Sequence, residues 1–168
     1  MIDEAYERIA LEEKAELIKI DIPSLNRFTQ VEKRYELYVP YKGIVIEIKN
    51  SHSPDPVGSF RTEFFIGEKR IEFEINTKSH LIKLLTFSKS ITKIKSNDAN
   101  LISDIKSNEW FIKVENVIVN SQFEPVIYAS TSKGVLTVKT EYHILLSDKT
   151  SFIKPMLEFY KYLIDKMI

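Results

Sequence analysis

Three charged side chains carry the sharpest chemical signal in this chain: Glu47 and Lys49 in the run GIVIEIKN that begins at Gly43, and Glu36 on the stretch before it. Side chains two apart on a strand project to one face, so Glu47 and Lys49 share theirs. Two carboxylates beside a lysine suit a metal-dependent nuclease, with the acids holding Mg²⁺ and the lysine assisting the attacking water. Asp21 is too far back to supply the first acid, so that part falls to Glu36. The competing reading is a solvated strand face with alternating charge. With 29% of residues charged, an acid-x-lysine pair arises readily by chance. Lys plus Arg and Asp plus Glu are both 24, so the chain lacks the basic excess expected of a nucleic-acid binder.

Other chemistries find less support. The chain has no cysteine, which removes disulfide scaffolds, thiolate zinc sites, iron–sulfur clusters and cysteine nucleophiles. Its four glycines are far apart, so neither a phosphate-cradling loop nor a dinucleotide fingerprint can form. The three histidines, His52, His80 and His143, have no ligand spacing among them, and a zinc site would need tertiary assembly. Ser51, His52 and Asp55 make a triad by composition only, since working triads are gathered from distant positions and held rigidly. The expectation is no metal, no cofactor and no catalytic residue, with Glu36, Glu47 and Lys49 kept for the nuclease alternative.

The aromatic residues read mainly as core. Tyrosines 35, 38 and 41 cluster near one turn, where they could form an exposed interaction patch. The acidic residues Glu47, Glu63, Glu72 and Glu74 lie on the aromatic-bearing strands and would repel a single-stranded nucleic acid.

These residues must be positioned by elements of two kinds. Residues 3–19 read as a helix with acids crowding its start, where the helix dipole favours them. Its apolar positions, including Ile9, Leu11 and Ile18, form too broad a stripe for one seam, so some of them are expected to meet another chain. From Val31 the period becomes two. Tyr35, Leu37 and Val39, then Ile44, Ile46 and Ile48, flank Pro40 to Gly43 as a hairpin. Phe60, Thr62, Phe64 and Ile66, then Ile71, Phe73 and Ile75, read as a second hairpin around Gly67, and the four strands together as a meander. Residues 50–58 form the strongest loop. Three stretches rich in Asn, Ser, Thr and Asp, starting at Asn76, Ser96 and Ser147, precede apolar helical runs and carry N-capping chemistry. They introduce helices over 78–87, 98–107 and 149–167; residues 108–116 also keep helical spacing. Residues 126–131 and 135–140 flank Lys133-Gly134 as a hairpin. Pro155 either kinks the last helix or marks its first turn.

The runs GIVIEI, RTEFFI, ITKIKSNDANLISDI and VIYASTSKGVLTV, followed by a leucine-containing terminal helix, resemble in their order an uncharacterised prokaryotic family that usually sits at the C-terminal end of longer chains. The likeness spans 42–167 and is one of rhythm; the Gly-Asp and Phe-Asp residues usual before that family's middle strand are not seen here. It implies a fold and no activity.

The sequence therefore predicts an α+β fold, a twisted and mainly antiparallel sheet with helices on one face and a terminal amphipathic helix. Residues 1–22 form a helical arm and 23–168 a single domain. The expected role is a non-catalytic protein-binding or regulatory module, with the nuclease or a carrier of a small apolar ligand as alternatives. Interaction residues would be Ile9, Leu11, Ile18, Tyr38 and Tyr41, meeting a protein partner or a second copy, with no nucleic acid and no membrane. The acidic N-terminus and the lack of a long apolar run point to a soluble, cytoplasmic protein.

Overall fold

Alternation of apolar and polar side chains builds a sheet with one buried face. In a computed structural model that describes residues 2–23, 32–52, 57–77, 91–121, 123–143 and 150–168, Tyr35, Leu37 and Val39 of β2 (Glu32–Tyr41) are buried while Arg34, Glu36 and Tyr38 between them are not. The same pattern runs through β3 (Ile44–His52), β4 (Val57–Phe65) and β8 (Val135–His143). With β1 (Glu16–Ile22), β5 (Glu72–Thr77), β6 (Thr92–Ser96) and β7 (Val126–Ser132) they form one eight-stranded sheet, ordered β1-β2-β3-β4-β8-β7-β5-β6. Every pairing is antiparallel.

Helices α1 (Ile2–Glu13), α2 (Ala99–Ser107), α3 (Glu109–Asn120) and α4 (Ile153–Met167) place their buried residues in one core with the inward side chains of the sheet. The architecture is the expected α+β one. Helix α4 is its centre, burying Met156, Leu157, Phe159, Tyr160, Leu163 and Ile164 among others. Phe111 of α3 packs on Phe159, and Phe123 and Tyr142 on Phe152, with ring centroids 4.7–5.2 Å apart. Aromatic pairs at such distances add ~0.5–1.5 kcal/mol beyond their area.

Two tight turns hold the register. Lys42-Gly43 and Lys133-Gly134 each have two consecutive positive φ angles, the mirror-image geometry that suits the twist of a two-residue hairpin. Asp98 caps α2 by accepting hydrogen bonds from the Asn100 and Leu101 N–H groups at 2.9 and 3.3 Å. Of the other capping stretches, Asn76 and Thr77 lie within β5, and 78–80 and 147–149 fall outside the described residues. Asn108, not anticipated as a cap, accepts from Trp110 and Phe111 at 3.0 Å and starts α3 as a helix separate from α2.

Three expectations are corrected. The helix over 3–19 stops at Glu13; Lys14 takes φ 52° and the chain turns into β1, an edge strand in full register with β2. Helix α1 lies against the domain, with Tyr6 fully buried and Glu13 ion-paired to Lys161 of α4 at 2.7 Å. The second hairpin does not form, because β4 pairs with β8 and β5 with β7. The β7–β8 hairpin is inserted between them. Ile66 N–H donates to the Gly134 carbonyl, and the Ile71 N–H donates to Thr131 Oγ1, so the chain crosses the hairpin's end. The last helix begins at Ile153 rather than 149, which puts Pro155 in its first turn, where a missing N–H costs no helical bond.

Candidate functional site

Because the four helices share one face, the opposite face of the sheet is uncovered among the described residues. Facing residues in an antiparallel pair project to the same side, so register alone assigns that face: Glu36 opposite Lys49, Tyr38 opposite Glu47, Lys49 opposite Ser59, and Ser59 opposite Glu141.

The structure brings the nuclease candidates together there. Lys49 Nζ lies 2.5 Å from Glu47 and 4.0 Å from Glu36, and the Tyr38 hydroxyl donates to Glu36 at 2.7 Å. The hydrogen bond to Glu47 raises the lysine's pKa, and that from Tyr38 to Glu36 raises the phenol's. The ammonium thus sits between the two carboxylates, where a shared divalent ion would have to be. No group of three or more His, Asp or Glu residues arranged to hold a metal occurs among the described residues.

Beside this cluster runs a groove of about 740 Å³. Arg34, Lys49, Ser59, Tyr128, Glu141 and His143 are among the side chains that line it, from β2, β3, β4, β7 and β8. Its charges alternate in sign, and the neighbouring ones neutralise each other: Arg34 with Glu32 at 3.3 Å, Lys139 with Glu141 at 2.5 Å, Arg61 with Glu63 at 2.7 Å. Sequence reasoning did not find this groove, because it exists only where β4 meets β8, and no local pattern announces that pairing.

The other candidates are dispersed. Ser51 faces the open side and donates to Glu32, whereas neighbouring His52 is buried on the helix side at 3.2 Å from the Tyr6 hydroxyl; Asp55 and His80 lie outside the described residues. Of the three tyrosines, only Tyr38 is on the open face. Tyr35 is buried and stacked on Tyr6, and Tyr41 reaches back to donate to Asp165 of α4 at 2.9 Å. Ile9 is buried, Leu11 is exposed on α1, and Ile18 lies on the open face of β1.

Behind the groove floor is a buried polar chain. Tyr142 donates to Asn50 Oδ1 at 2.6 Å, Asn50 Nδ2 donates to the Tyr6 hydroxyl at 2.6 Å, and that hydroxyl meets His52 Nε2. It links β8, β3 and α1. Gly58, on the strand between Asn50 and Tyr142, leaves the space in which they meet.

No protein-family model, no curated protein and no solved structure matches this chain. The likeness noted in the sequence therefore stands on the order of its elements alone. No helix among the described residues is long and apolar enough to cross a membrane.

Proposed function

We propose that this chain is a non-catalytic binding module that receives another protein chain on the uncovered face of its sheet. The observation that carries the reading is the distribution of exposed apolar side chains. Among the described residues ten large apolar side chains are at least 36% exposed. Six of them, Ile18, Ile20, Val45, Val57, Phe65 and Tyr128, lie by strand register on that one face, and the other four, Leu11, Ile112, Val119 and Ile168, are on helices or at a helix end. Apolar positions set among mutually neutralised charges, around a groove, are the composition of a protein contact surface.

The two alternatives have weaker support. A carrier of an apolar ligand would hold it between α4 and the sheet, but Phe60, Phe152, Phe159 and Tyr160 fill that space and are fully buried. A nuclease would need Lys49 to yield its place between Glu36 and Glu47 to a metal ion.

The test is photo-crosslinking in the native cell from a benzophenone side chain placed at Tyr128 on the open face, with Ile112 of α3 as the control. Discrete protein adducts from position 128 alone support the proposal. No adduct at 128, or the same adducts from 112, defeats it. Titration calorimetry of the purified chain with Mn²⁺ addresses the alternative: binding that is lost in Glu47→Gln would bring the metal enzyme forward.

A further inference from the structure

The two edges of the sheet are built differently. Strand β6 is five residues long and bears Lys93 and Lys95, the short and charged form that discourages pairing with another chain. Strand β1 has seven residues in uninterrupted one-to-one register with β2, and no other described strand pairs with it. Three of its four open-face residues are isoleucine: Ile18, Ile20 and Ile22 face Glu36, Arg34 and Glu32, while Glu16 faces Tyr38. Ile18 and Ile20 are 38% and 36% exposed. On the helix face, Lys19 and Asp21 stand two residues apart, opposite Tyr35 and Lys33.

That order of residues is complementary to itself. In an antiparallel pair of two β1 strands centred on Ile20, Ile20 faces Ile20 of the second copy and Ile18 faces its Ile22. Lys19 then faces the second copy's Asp21, and Asp21 its Lys19. The axis stands normal to the sheet, so both helical layers fall on one side and both isoleucine stripes on the other. A two-fold interface repeats each contact in this way, and opposite charges set directly across a strand pair stabilise it while like charges oppose it. In the single chain Lys19 is paired with Glu7 and lies near Asp3; Asp21 of a second copy would add to that acidic surround. A register centred on Lys19 instead sets the two lysines against each other.

We infer that β1 is a dimerisation edge and that its partner is a second copy of this chain, paired antiparallel about Ile20 so that two eight-stranded sheets become one. The inference narrows the protein-binding reading to one edge and one partner, yet it stands or falls apart from the groove.

Sedimentation equilibrium of the full chain and four variants tests it, with melting curves confirming that each is folded. Wild type should be dimeric. Ile20→Lys, a change at an exposed position, should be monomeric and still unfold in one cooperative transition, with a melting temperature lowered by no more than loss of the dimer accounts for. Lys19→Asp and Asp21→Lys should each be monomeric alone, since each sets like charges across the seam. Mixed in equal amounts they should form a dimer, because acids on one strand then face lysines on the other. The double variant K19D/D21K should dimerise again, which a register centred on Lys19 would not allow. A wild type that is monomeric at every concentration sedimented overturns the inference, as does a dimer that survives Ile20→Lys or a mixture that stays monomeric. A monomeric wild type that still gives adducts from position 128 would leave the open-face reading standing.

Discussion

Replacing Gly58 with alanine probes the polar chain behind the groove. An added Cβ would lie 2.1 Å from Asn50 Oδ1 and 2.4 Å from a ring carbon of Tyr142. Neither can retreat into solvent, because Asn50 is 1% and Tyr142 4% exposed. Moving Asn50 aside breaks its bonds to Tyr142 and Tyr6. Each buried polar group left without a partner costs ~1–3 kcal/mol. Gly58 does not adopt the left-handed backbone that would itself penalise alanine, so the substitution recovers ~0.4–1 kcal/mol from the unfolded chain. The net expectation is a loss of about 3 kcal/mol, which for a chain of this size lowers the melting temperature by roughly 10 °C.

Urea unfolding followed by circular dichroism measures this, and a double-mutant cycle assigns it. If Gly58 makes room for Asn50, its replacement should cost at least ~1 kcal/mol less in an Asn50→Ala background, where one of the two clashes is gone. An alanine variant within ~0.5 kcal/mol of wild type, the range of an ordinary surface change, would refute the steric argument. An undiminished cost beside Asn50→Ala would show that the amide is not what the glycine accommodates.

Two further outcomes concern the helix caps and the buried phenols. Asp98→Ala and Asn108→Ala should each lower stability by ~1 kcal/mol in urea unfolding, since each removes the acceptor for two helix-start N–H groups; no loss at Asn108 would mean α2 and α3 do not need it as their break. Burial pushes the phenols of Tyr6, Tyr142 and Tyr160 well above their ordinary range. Phenols raised on folding contribute stability that is complete below the unfolded value of ~10 and lost as pH rises above it. The urea midpoint should therefore fall between pH 8 and pH 11, and less steeply in Tyr160→Phe; a midpoint indifferent to pH over that range would contradict the burial of these hydroxyls.

What could be read from the sequence was whatever local spacing determines. Tyr35, Leu37 and Val39 alternate, as do Ile46 and Ile48, and Lys133-Gly134 sits between two alternating runs; each is an interaction among near neighbours. Asp98 was legible for the same reason, as a cap acting two and three residues ahead. The pairing of β4 with β8 was not, because Phe60 meets Thr140 and Thr62 meets Val138, pairs 80 and 76 positions apart in the chain, and any of several strands could have met the alternation of β4 equally well. Strand β1 had a visible signal that a competing one obscured. Ile18, Ile20 and Ile22 alternate with Lys19 and Asp21, but no glycine or proline separates them from the helical run, and the break falls on Lys14 in a left-handed conformation that lysine seldom signals. The cluster of Glu36, Glu47 and Lys49 was legible because consecutive hairpin strands bring it together; the groove beside it required the distant pairing.

The same asymmetry bears on what the open face can do. Catalytic groups are commonly held in environments that move their acidity toward the reaction's need, by burial or by like charges forced together. On this face the opposite holds. Lys49 is drawn toward its charged form by Glu47, and Glu63 is held below the usual carboxylate range by hydrogen bonds from Arg61 and Thr137. Exposed pairs of this kind contribute only ~0–1 kcal/mol to folding, so stability gives little reason for a whole face of them. Their alternation along adjacent strands instead fixes where each sign of charge and each apolar side chain stands. On the proposed reading, a pattern of that sort would discriminate among partners more than it would bind any one tightly. If the face receives a protein as proposed, affinity would come from the apolar positions it frames, with Tyr128 and Val57 at the groove and Ile18 and Ile20 at the free edge.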